Sequence, residues 1–339
     1  MKWFWILCDL FFIICALALV YTFCGISTEE WDRLFPLGSG SPVRVFIAPG
    51  KNGREIADVF RSADIVPSAP ELARWLHRFA LDRSFRPGTY SVRKGTPWEV
   101  ARQLRSAVPE RITLTIVPGS DLFSLGDTVS ASPQILRKVL ADDSFFPAQL
   151  LSLLPASADQ RIAFLLPETY DVPEQSFAAL VKTSSALWQN RLFDRLSGLT
   201  SRDILEAAII ASLVERETSR ESERPRIAGV IRNRLGIGMP LQIDATVVYA
   251  WKRRGRTITR VLHKDLEIDS PLNTYRITGL PPEPICIPSE GSWKAALQPE
   301  ENDFLYYVLK KDGSHVFAKK YSEHRSEERR VGKECRSRW

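Results

Sequence analysis

The chain has 339 residues, which is long for one compact core, so two domains or subdomains are expected. A composition of 44% hydrophobic and 25% charged residues is that of a folded protein and excludes an intrinsically disordered one. The net charge of +6 does not indicate nucleic-acid binding, because about half of the surplus lies in residues 325–339 and no basic stripe interleaved with aromatic residues occurs elsewhere.

The first predicted element is a membrane anchor. Residues 3–26 are apolar apart from Asp9 and a few weakly polar side chains, and about 20 such residues in a helix span a hydrocarbon core. A cleaved signal peptide is the alternative, but the apolar run continues beyond the candidate cleavage site at Ala18. The sequence therefore predicts a single-pass transmembrane helix within residues 1–26, which anchors the chain in the inner (cytoplasmic) membrane. Lys2 favours a cytoplasmic N-terminus, with the rest of the chain on the periplasmic or extracytoplasmic side.

A linker at residues 27–42 precedes a predicted α+β module at residues 43–129. Alternating apolar residues predict strands, and amphipathic patterns between them predict helices, in the order strand, helix, helix, strand, helix, strand. A Pro-Gly or Lys-Gly turn recurs between strand and helix, which gives a weak internal repeat. The pattern is that of an ordinary small mixed domain, and it also resembles the sugar-binding LysM-like modules built on a βααβ unit.

Residues 130–324 form the predicted larger domain, of mixed helical and β structure, so that the fold class is α+β. Its best-defined element is a helix that begins with a capping box at Thr200 and ends in ASLVERET, residues 211–218. A loop with five prolines covers residues 270–292, and loops of that length are usually functional. The last predicted element is a hairpin with an Asp-Gly turn at Asp312.

Disulfide and metal chemistry are not predicted. Cys286 is the one cysteine of the folded body, so no disulfide framework and no C-x-x-C pair exists. The four histidines are scattered and none stands in an H-E-x-x-H motif, so a metal-dependent hydrolase lacks ligands at usable spacing. We expect neither a metal nor another cofactor.

The two glutamates of ASLVERET are the candidate acids. At 100° per residue, Glu215 and Glu217 point about 200° apart, which excludes a glycosidase that uses this pair on one bond. Glu215 shares its face with the small residues Ala208, Ala211 and Ser212, whereas Glu217 shares its face with large apolar residues. From the pattern alone, a catalytic and a structural role are equally open for Glu215. A carboxyl kept dry among apolar residues would hold its proton near neutrality.

Hydrogen-bonding side chains are concentrated where the chain turns after this helix: Asn233, Gln242, Asp244, Asn273, Thr274 and Tyr275. Together with the nearby rings of Tyr249 and Trp251, they resemble a carbohydrate cleft, in which amides bind hydroxyls and rings cover sugar faces. Helix caps and loop-anchoring hydrogen bonds are the alternative for about half of these residues.

Four motifs in order resemble the membrane-bound endolytic murein transglycosylase family, which is YceG-like. They are LLPETY at residues 165–170, ASLVERET and the sequence after it to residue 250, SPLNTYRITGLPPEPI at residues 270–285, and DGSHVF at residues 312–317. The N-terminal module and the anchor fit the family more loosely. The resemblance implies a lyase that cuts peptidoglycan strands within the chain and leaves a 1,6-anhydro-muramoyl end. One carboxyl group serves as acid and then as base.

Carried over by motif, the resemblance makes Glu215 the catalytic acid. It gives binding or supporting roles to seven further residues, which are Glu217, Asn233, Gln242, Asp244, Thr246, Asn273 and Tyr275. No second carboxylate is required, which agrees with the helical geometry. The expected partners are peptidoglycan glycan strands, the membrane and cell-wall synthases, and no nucleic acid.

The chain departs from the family pattern at the rim of the expected cleft. Ile162-Ala163 and Pro118-Gly119 stand where Glu-Gly is usual, Ala245 replaces a common proline, and Glu283 replaces a common glycine. Residues 325–339 resemble nothing in the family and are predicted to be a foreign or frame-shifted, disordered tail. The alternative function is a catalytically silent peptidoglycan-binding scaffold that recruits cell-wall synthases. A hydrolytic glycosidase is third, because no partner carboxylate is evident.

Overall fold

The computed structural model describes residues 13, 15, 16, 41–48, 50–82, 85–173 and 176–336. The chain divides into two compact units between Glu110 and Arg111. The predicted anchor, apart from residues 13, 15 and 16, and the predicted linker as far as residue 40 lie outside the described residues. In the part of the chain that is described, no helix has both the length and the apolar character needed to cross a membrane.

The described residues of the first unit form a two-stranded sheet and three helices. In chain order the elements are β1 (Pro42–Ile47), α1 (Gly53–Ser62), α2 (Ala69–Arg78), β2 (Gly88–Arg93) and α3 (Pro97–Ser106). Capping boxes at Asn52 and Thr96 begin α1 and α3. The antiparallel pair β1–β2 turns Val45 and Ile47 into a core that contains Phe60. The predicted order of strands and helices is therefore confirmed for residues 42–106.

The boundary between the units lies after Glu110, whereas the predicted module extends to residue 129. The cause is a long-range strand pair within the second unit: β3 (Arg111–Thr115) pairs antiparallel with β4 (Thr169–Pro173). Leu114 and Val172 of these strands are buried in the core of the second unit. Alternation in a sequence predicts a strand but does not identify its partner, so the local pattern could not locate this boundary.

The second unit is mainly helical. Its helices before the C-terminal hairpin are α4 (Leu122–Val129), α5 (Pro133–Ala141), α6 (Ala158–Arg161), α7 (Phe177–Leu192), α8 (Ser201–Glu217), α9 (Arg224–Gly236), α10 (Asp244–Arg253) and α11 (Glu290–Leu297). Single 3-10 turns occur at Asp143–Phe145, Ala148–Leu150, Ile162–Phe164, Phe193–Leu196, Glu221–Glu223 and His263–Glu267. Three buried rings, those of Phe164, Trp188 and Trp293, contact one another with centroids 5.0 to 5.7 Å apart. These contacts pack α7 against α11.

Helix α8 is buried over most of its second half. Residues 207–214 are buried on every side, which is typical of a helix that is hydrophobic all round. Thr200 and Asp203 form the predicted capping box at its beginning. The helix ends at Glu217, because Thr218 has an extended backbone. The last turn therefore places Glu215 and Glu217, which are partly exposed, directly after the buried segment.

The C-terminal part consists of a hairpin and a helix. Strands β5 (Tyr306–Leu309) and β6 (His315–Ala318) form the predicted hairpin, whose turn contains Gly313 at a φ of 76°. The following helix α12 (Tyr321–Arg336) corrects the prediction of a disordered tail for residues 325–336. This segment contains no proline and is rich in the helix formers Glu, Arg and Lys, and Arg330 pairs with Glu327 one turn away at 2.9 Å. The described chain is α+β, as predicted.

Candidate active site

The last turn of α8 presents Glu215 and Glu217 to different neighbours. Glu215 contacts the beginning of α11, whereas Glu217 contacts β5 of the hairpin. The two side chains therefore lie on separate faces of the helix, as their spacing predicts. The contacts of Glu215 and those of Glu217 can therefore be compared separately with what a catalytic acid requires.

Glu215 is enclosed by hydrogen-bond donors. Its Oε2 accepts bonds from the backbone N–H of Ser289 at 2.8 Å, from the Ser289 hydroxyl at 2.5 Å and from the Ser292 hydroxyl at 2.7 Å. Its Oε1 lies 3.5 Å from Nη2 of Arg224, and only 6% of the Glu215 side chain is exposed. Because Ser289 is the N-cap of α11, the carboxylate also faces the positive end of a helix dipole. These contacts tie the end of α8 to the beginnings of α11 and α9.

Glu217 has a different environment. Among the residues that the structure describes, one hydrogen bond reaches its carboxyl group, from the Tyr307 hydroxyl to Oε2 at 2.9 Å. The residue is half-buried, and burial raises the pKa of Glu217 above its ordinary value. The negative charge of Asp244 acts in the same direction, while the Tyr307 hydrogen bond, His315 and Arg234 oppose it. Glu217 is therefore a partly exposed residue whose carboxyl group has a raised pKa.

A second carboxylate, Asp244, acts on the charge of Glu217. Asp244 is the first residue of α10, is exposed, and accepts a hydrogen bond from the Tyr275 hydroxyl at 2.6 Å. Burial, this hydrogen bond and the charges of Asp244 and Glu217 together raise the pKa of Tyr275, so that it stays a neutral donor. Gln242, two residues before Asp244, is exposed and has a φ of 49°. Its backbone N–H bonds to the Thr274 carbonyl at 3.0 Å, which holds this left-handed conformation.

Three other predicted site residues are internal anchors in the structure. Asn233 donates to the carbonyl oxygens of Asn302 and Phe304 at 2.8 and 2.9 Å. Thr246 is fully buried and shares a 2.9 Å hydrogen bond with Thr274. These contacts hold the segments that carry Gln242, Asp244 and the hairpin.

Asn273 is the third anchor, and it is fully buried. Its amide nitrogen donates to the carbonyl oxygens of Leu266 and Ile268 at 2.8 and 2.9 Å, and its amide oxygen accepts from the N–H of Tyr275. These bonds fix the proline-rich loop directly before Tyr275. The two aromatic residues considered as sugar platforms are also occupied: Tyr249 is buried, and the Arg256 guanidinium covers the Trp251 ring at 4.6 Å.

Several residues around Glu217 received no individual role from the sequence. Tyr307 is the direct partner of its carboxyl group, and His315 and Arg234 act on its charge. The one available signal was the predicted hairpin, whose alternation places Tyr307 and His315 on its strands without identifying the surface that the hairpin covers.

Two of the departures from the family pattern, Glu283 and Gly119, have defined contacts in the second unit. Glu283 is buried and forms an ion pair with Arg253, and burial raises the pKa of its carboxyl group. Gly119 has a φ of 79°, and its carbonyl oxygen accepts from Arg216 at 3.4 Å. Over the described ranges, no three His, Cys, Asp or Glu side chains are grouped so that they could hold a metal ion.

Comparison with known proteins places these residues in a family. Residues 45–330 match the model of the YceG-like family. An endolytic murein transglycosylase of Bacillus subtilis (strain 168) is 31% identical over 307 residues, which cover 84% of each chain. An endolytic murein transglycosylase of Streptococcus pneumoniae (serotype 2, strain D39) is 27% identical over 327 residues, which cover 86% of this chain and 59% of the relative.

A solved structure supports the same relationship. The 2.6 Å crystal structure of a yceG-like protein from Listeria monocytogenes aligns with a TM-score of 0.53 and 25% sequence identity. The alignment covers 85% of this chain and 99% of that protein. With a family match that spans both units, the chain belongs to the YceG-like family.

Proposed function

We propose that the chain is an endolytic peptidoglycan lytic transglycosylase. It cleaves the bond between MurNAc and GlcNAc within a glycan strand and leaves a 1,6-anhydro-MurNAc end. The names of the Bacillus and Streptococcus relatives support the activity. The observation that carries the mechanism is a half-buried glutamate, Glu217, whose pKa is raised by burial at the end of the α8 helix.

The reaction needs a single carboxyl group. Protonated Glu217 donates its proton to the glycosidic oxygen, and the bond from that oxygen to the anomeric carbon breaks. The resulting Glu217 carboxylate then takes the proton of the C6 hydroxyl of the same MurNAc, whose oxygen bonds to the anomeric carbon. Glu217 ends in its starting state, and no water is consumed. The exposed Asp244 carboxylate supports the step, because negative charge near the sugar stabilises the positive charge that develops on its ring.

The proposed acid is Glu217 rather than Glu215, which is the reverse of the assignment carried over by motif. A catalytic acid needs a carboxyl oxygen that is free to reach the substrate, and Oε2 of Glu215 already accepts three hydrogen bonds. Its Oε1 lies 3.5 Å from the Arg224 guanidinium. We assign Glu215 the role of fixing the end of α8, so that Glu217 is presented at a constant angle.

The remaining site residues divide into two groups under this proposal. Gln242, Asp244 and Tyr275 line the substrate cleft beside Glu217. Asn233, Thr246 and Asn273 support it, because their side chains are used in bonds to the backbone or to Thr274. The cleft therefore binds glycan hydroxyls with fewer side chains than the sequence suggests.

The membrane and partner assignments belong to the same proposal. The apolar residues 3–26 support a single-pass anchor in the cytoplasmic membrane, with both units outside the cytoplasm. The strand–helix–helix–strand order of residues 42–93 supports a LysM-like, glycan-binding role for the first unit. Cell-wall synthases are the partners to expect at the site of strand synthesis, where an enzyme that acts on nascent strands works.

The experiment that tests the function is digestion of purified glycan strands by the full chain, followed by mass analysis of the products. Internal fragments with 1,6-anhydro-MurNAc ends support the proposal. Reducing ends would indicate a hydrolase instead. Strands that bind the chain but stay intact would favour the catalytically silent scaffold. A time course distinguishes internal from terminal cleavage, because internal cleavage shortens the mean strand length before small products accumulate.

A further inference from the structure

The Tyr307 side chain is fixed from both sides. Its ring lies edge-on to the His315 ring on the neighbouring strand, with centroids 5.5 Å apart and an interplanar angle of 85°. His315 is itself held by Glu223, whose carboxylate contacts Nδ1 of the ring at 2.7 Å and the backbone N–H at 3.1 Å. On another side, the Arg234 guanidinium carbon lies 5.9 Å from the Tyr307 ring centroid.

The Arg234 side chain is equally constrained. It donates to the carbonyl oxygens of Leu305 at 2.7 Å and of Leu241 at 2.5 Å. The Tyr307 hydroxyl therefore sits at a fixed point, 2.9 Å from Oε2 of Glu217. Burial raises the pKa of Tyr307, and the negative charge of Glu217 adds to this effect. The hydroxyl consequently remains a neutral hydrogen-bond donor at any pH at which the protein works.

We propose that Tyr307 is a positioning residue, whose hydroxyl holds Oε2 of Glu217 so that Oε1 carries the proton delivered to the glycosidic oxygen. The inference rests on the proposed function and deepens it. A carboxylic acid has one protonated oxygen, and the oxygen that accepts a bond from a phenol is the unprotonated one. Tyr307 thereby selects both the oxygen that bears the proton and the rotation of the carboxyl group.

The same contact assists the chemical step. When Glu217 gives up its proton, the acceptor of the Tyr307 bond becomes a charged carboxylate, and hydrogen bonds to charged acceptors are the stronger ones. The bond is therefore stronger in the transition state than in the ground state, and interactions of that kind raise kcat rather than lower KM. Removal of the hydroxyl should accordingly reduce kcat and leave KM nearly unchanged.

The first test compares Tyr307→Phe with the matched control Tyr306→Phe in the full chain. Tyr306 is the preceding residue of β5, and its ring packs against Tyr321 and His324. We expect Tyr307→Phe to lower kcat roughly tenfold to a hundredfold, the effect of one hydrogen bond to a charged group, with KM within about twofold. Tyr306→Phe should stay within about twofold of the parent kcat. Thermal unfolding of both variants verifies that each is folded at the assay temperature.

The second test is the pH profile of kcat/KM, because loss of packing alone would not move it. Four groups act on the charge of Glu217: Tyr307 from β5, His315 from β6, Asp244 from α10 and Arg234 from α9. The Tyr307 hydrogen bond lowers the pKa of Glu217, so its removal raises that pKa. The rate of an acid that must be protonated falls above its pKa, and the alkaline limb of Tyr307→Phe should therefore move to higher pH. The same shift in a His315→Gln background assigns the limb to Glu217 rather than to histidine.

The outcomes separate this inference from the proposed function. A Tyr307→Phe variant with parental kcat and an unmoved limb overturns the positioning role. A variant with lower kcat and an unmoved limb also overturns it, since packing then explains the loss. Retained activity in Glu217→Gln would instead overturn the assignment of the acid. The positioning role is supported if Tyr307→Phe lowers kcat and moves the alkaline limb of kcat/KM to higher pH, in an enzyme that Glu217→Gln inactivates.

Discussion

Two carboxyl groups, two residues apart on one helix, lie in opposite chemical environments. On one side of α8, Glu215 accepts three hydrogen bonds on Oε2 and lies beside the Arg224 guanidinium. On the other side, Glu217 accepts one hydrogen bond and lies within the electrostatic influence of a second carboxylate, Asp244. Burial and negative charge favour the protonated form of a carboxyl group, and both act on Glu217. The helix supplies the same residue type twice, and the surrounding elements decide its chemistry.

The most direct test of the difference between Glu215 and Glu217 is to replace each of them in turn. Glu217→Gln should reduce the release of anhydro ends roughly a thousandfold, because general acid catalysis contributes about two to four powers of ten to a rate. Glutamine keeps an oxygen that can accept the Tyr307 hydrogen bond, so the variant should fold normally. The measurement is the initial rate of anhydro-end formation per folded molecule.

The matched variant is Glu215→Gln, assayed in the same way. Its rate per folded molecule should exceed that of Glu217→Gln by at least about tenfold, because the acid is still present. A full loss of turnover in folded Glu215→Gln, with Glu217→Gln active, would return the catalytic role to Glu215. The roles assigned to Glu215 and Glu217 would then be exchanged.

The structural side of the comparison predicts a loss of stability in Glu215→Gln. Arg224 is 7% exposed, and removal of the Glu215 charge leaves this buried guanidinium with the exposed carboxylate of Glu221 at 3.3 Å. A buried charge left without any partner costs about 3 to 5 kcal/mol of unfolding free energy, and the remaining Glu221 contact makes the expected loss smaller than that range. Urea unfolding followed by circular dichroism measures the loss. Glu206→Gln is the control on the same helix: its ion pair with Arg202 is exposed, so the change should be under about 0.5 kcal/mol.

Local signals in the sequence were sufficient for the elements but not for their partners. The helix from Ser201 to Glu217, with its capping box, follows from local spacing, as does the hairpin with its turn at Gly313. The pairing of β3 with β4 does not, because strand alternation carries no information about a partner some fifty residues away.

The roles of the two glutamates could not be predicted from the sequence for the same reason, because local patterns do not identify distant partners. Periodicity predicts that Glu215 and Glu217 face opposite ways, and the structure agrees. What covers each face comes from much later in the chain: Ser289 is 74 residues after Glu215, and Tyr307 is 90 residues after Glu217. The small residues on the face of Glu215 leave space beside the helix, and the beginning of α11 fills that space. Side-chain size along one helix does not distinguish a cleft from a close helix contact.

Replacement of Asn273 tests whether the proposed cleft beside Glu217 depends on buried hydrogen bonds in the proline-rich loop. Asn273→Ala removes two donors and one acceptor from a fully buried site, leaving the carbonyl oxygens of Leu266 and Ile268 unpaired. Unsatisfied buried groups cost about 1 to 3 kcal/mol each, so a loss of about 2 to 4 kcal/mol is expected after partial relaxation. Hydrogen exchange should quicken at Tyr275, whose N–H loses its acceptor. Unchanged exchange at Tyr275 would mean that the loop is held by other contacts.

The smallest expected effect concerns the negative charge of Asp244, which acts on Glu217. The negative charge of Asp244 raises the pKa of Glu217, so Asp244→Asn should lower that pKa. The acid is then deprotonated at lower pH, and the alkaline limb of kcat/KM moves down, opposite to its movement in Tyr307→Phe. The pH profile of each variant, measured at low salt, gives the direction.

Tyr275→Phe provides the control for that last effect, since it removes the hydroxyl donor to Asp244 and leaves the charge in place. Its alkaline limb should not move down. Salt adds an independent check, because Asp244 is exposed and exposed charges are screened over about 3 Å at 1 M ionic strength. High salt should move the limb of the parent in the Asp244→Asn direction and move that of Asp244→Asn less. Equal salt shifts in both proteins would mean that Asp244 is not the charge that holds the proton on Glu217.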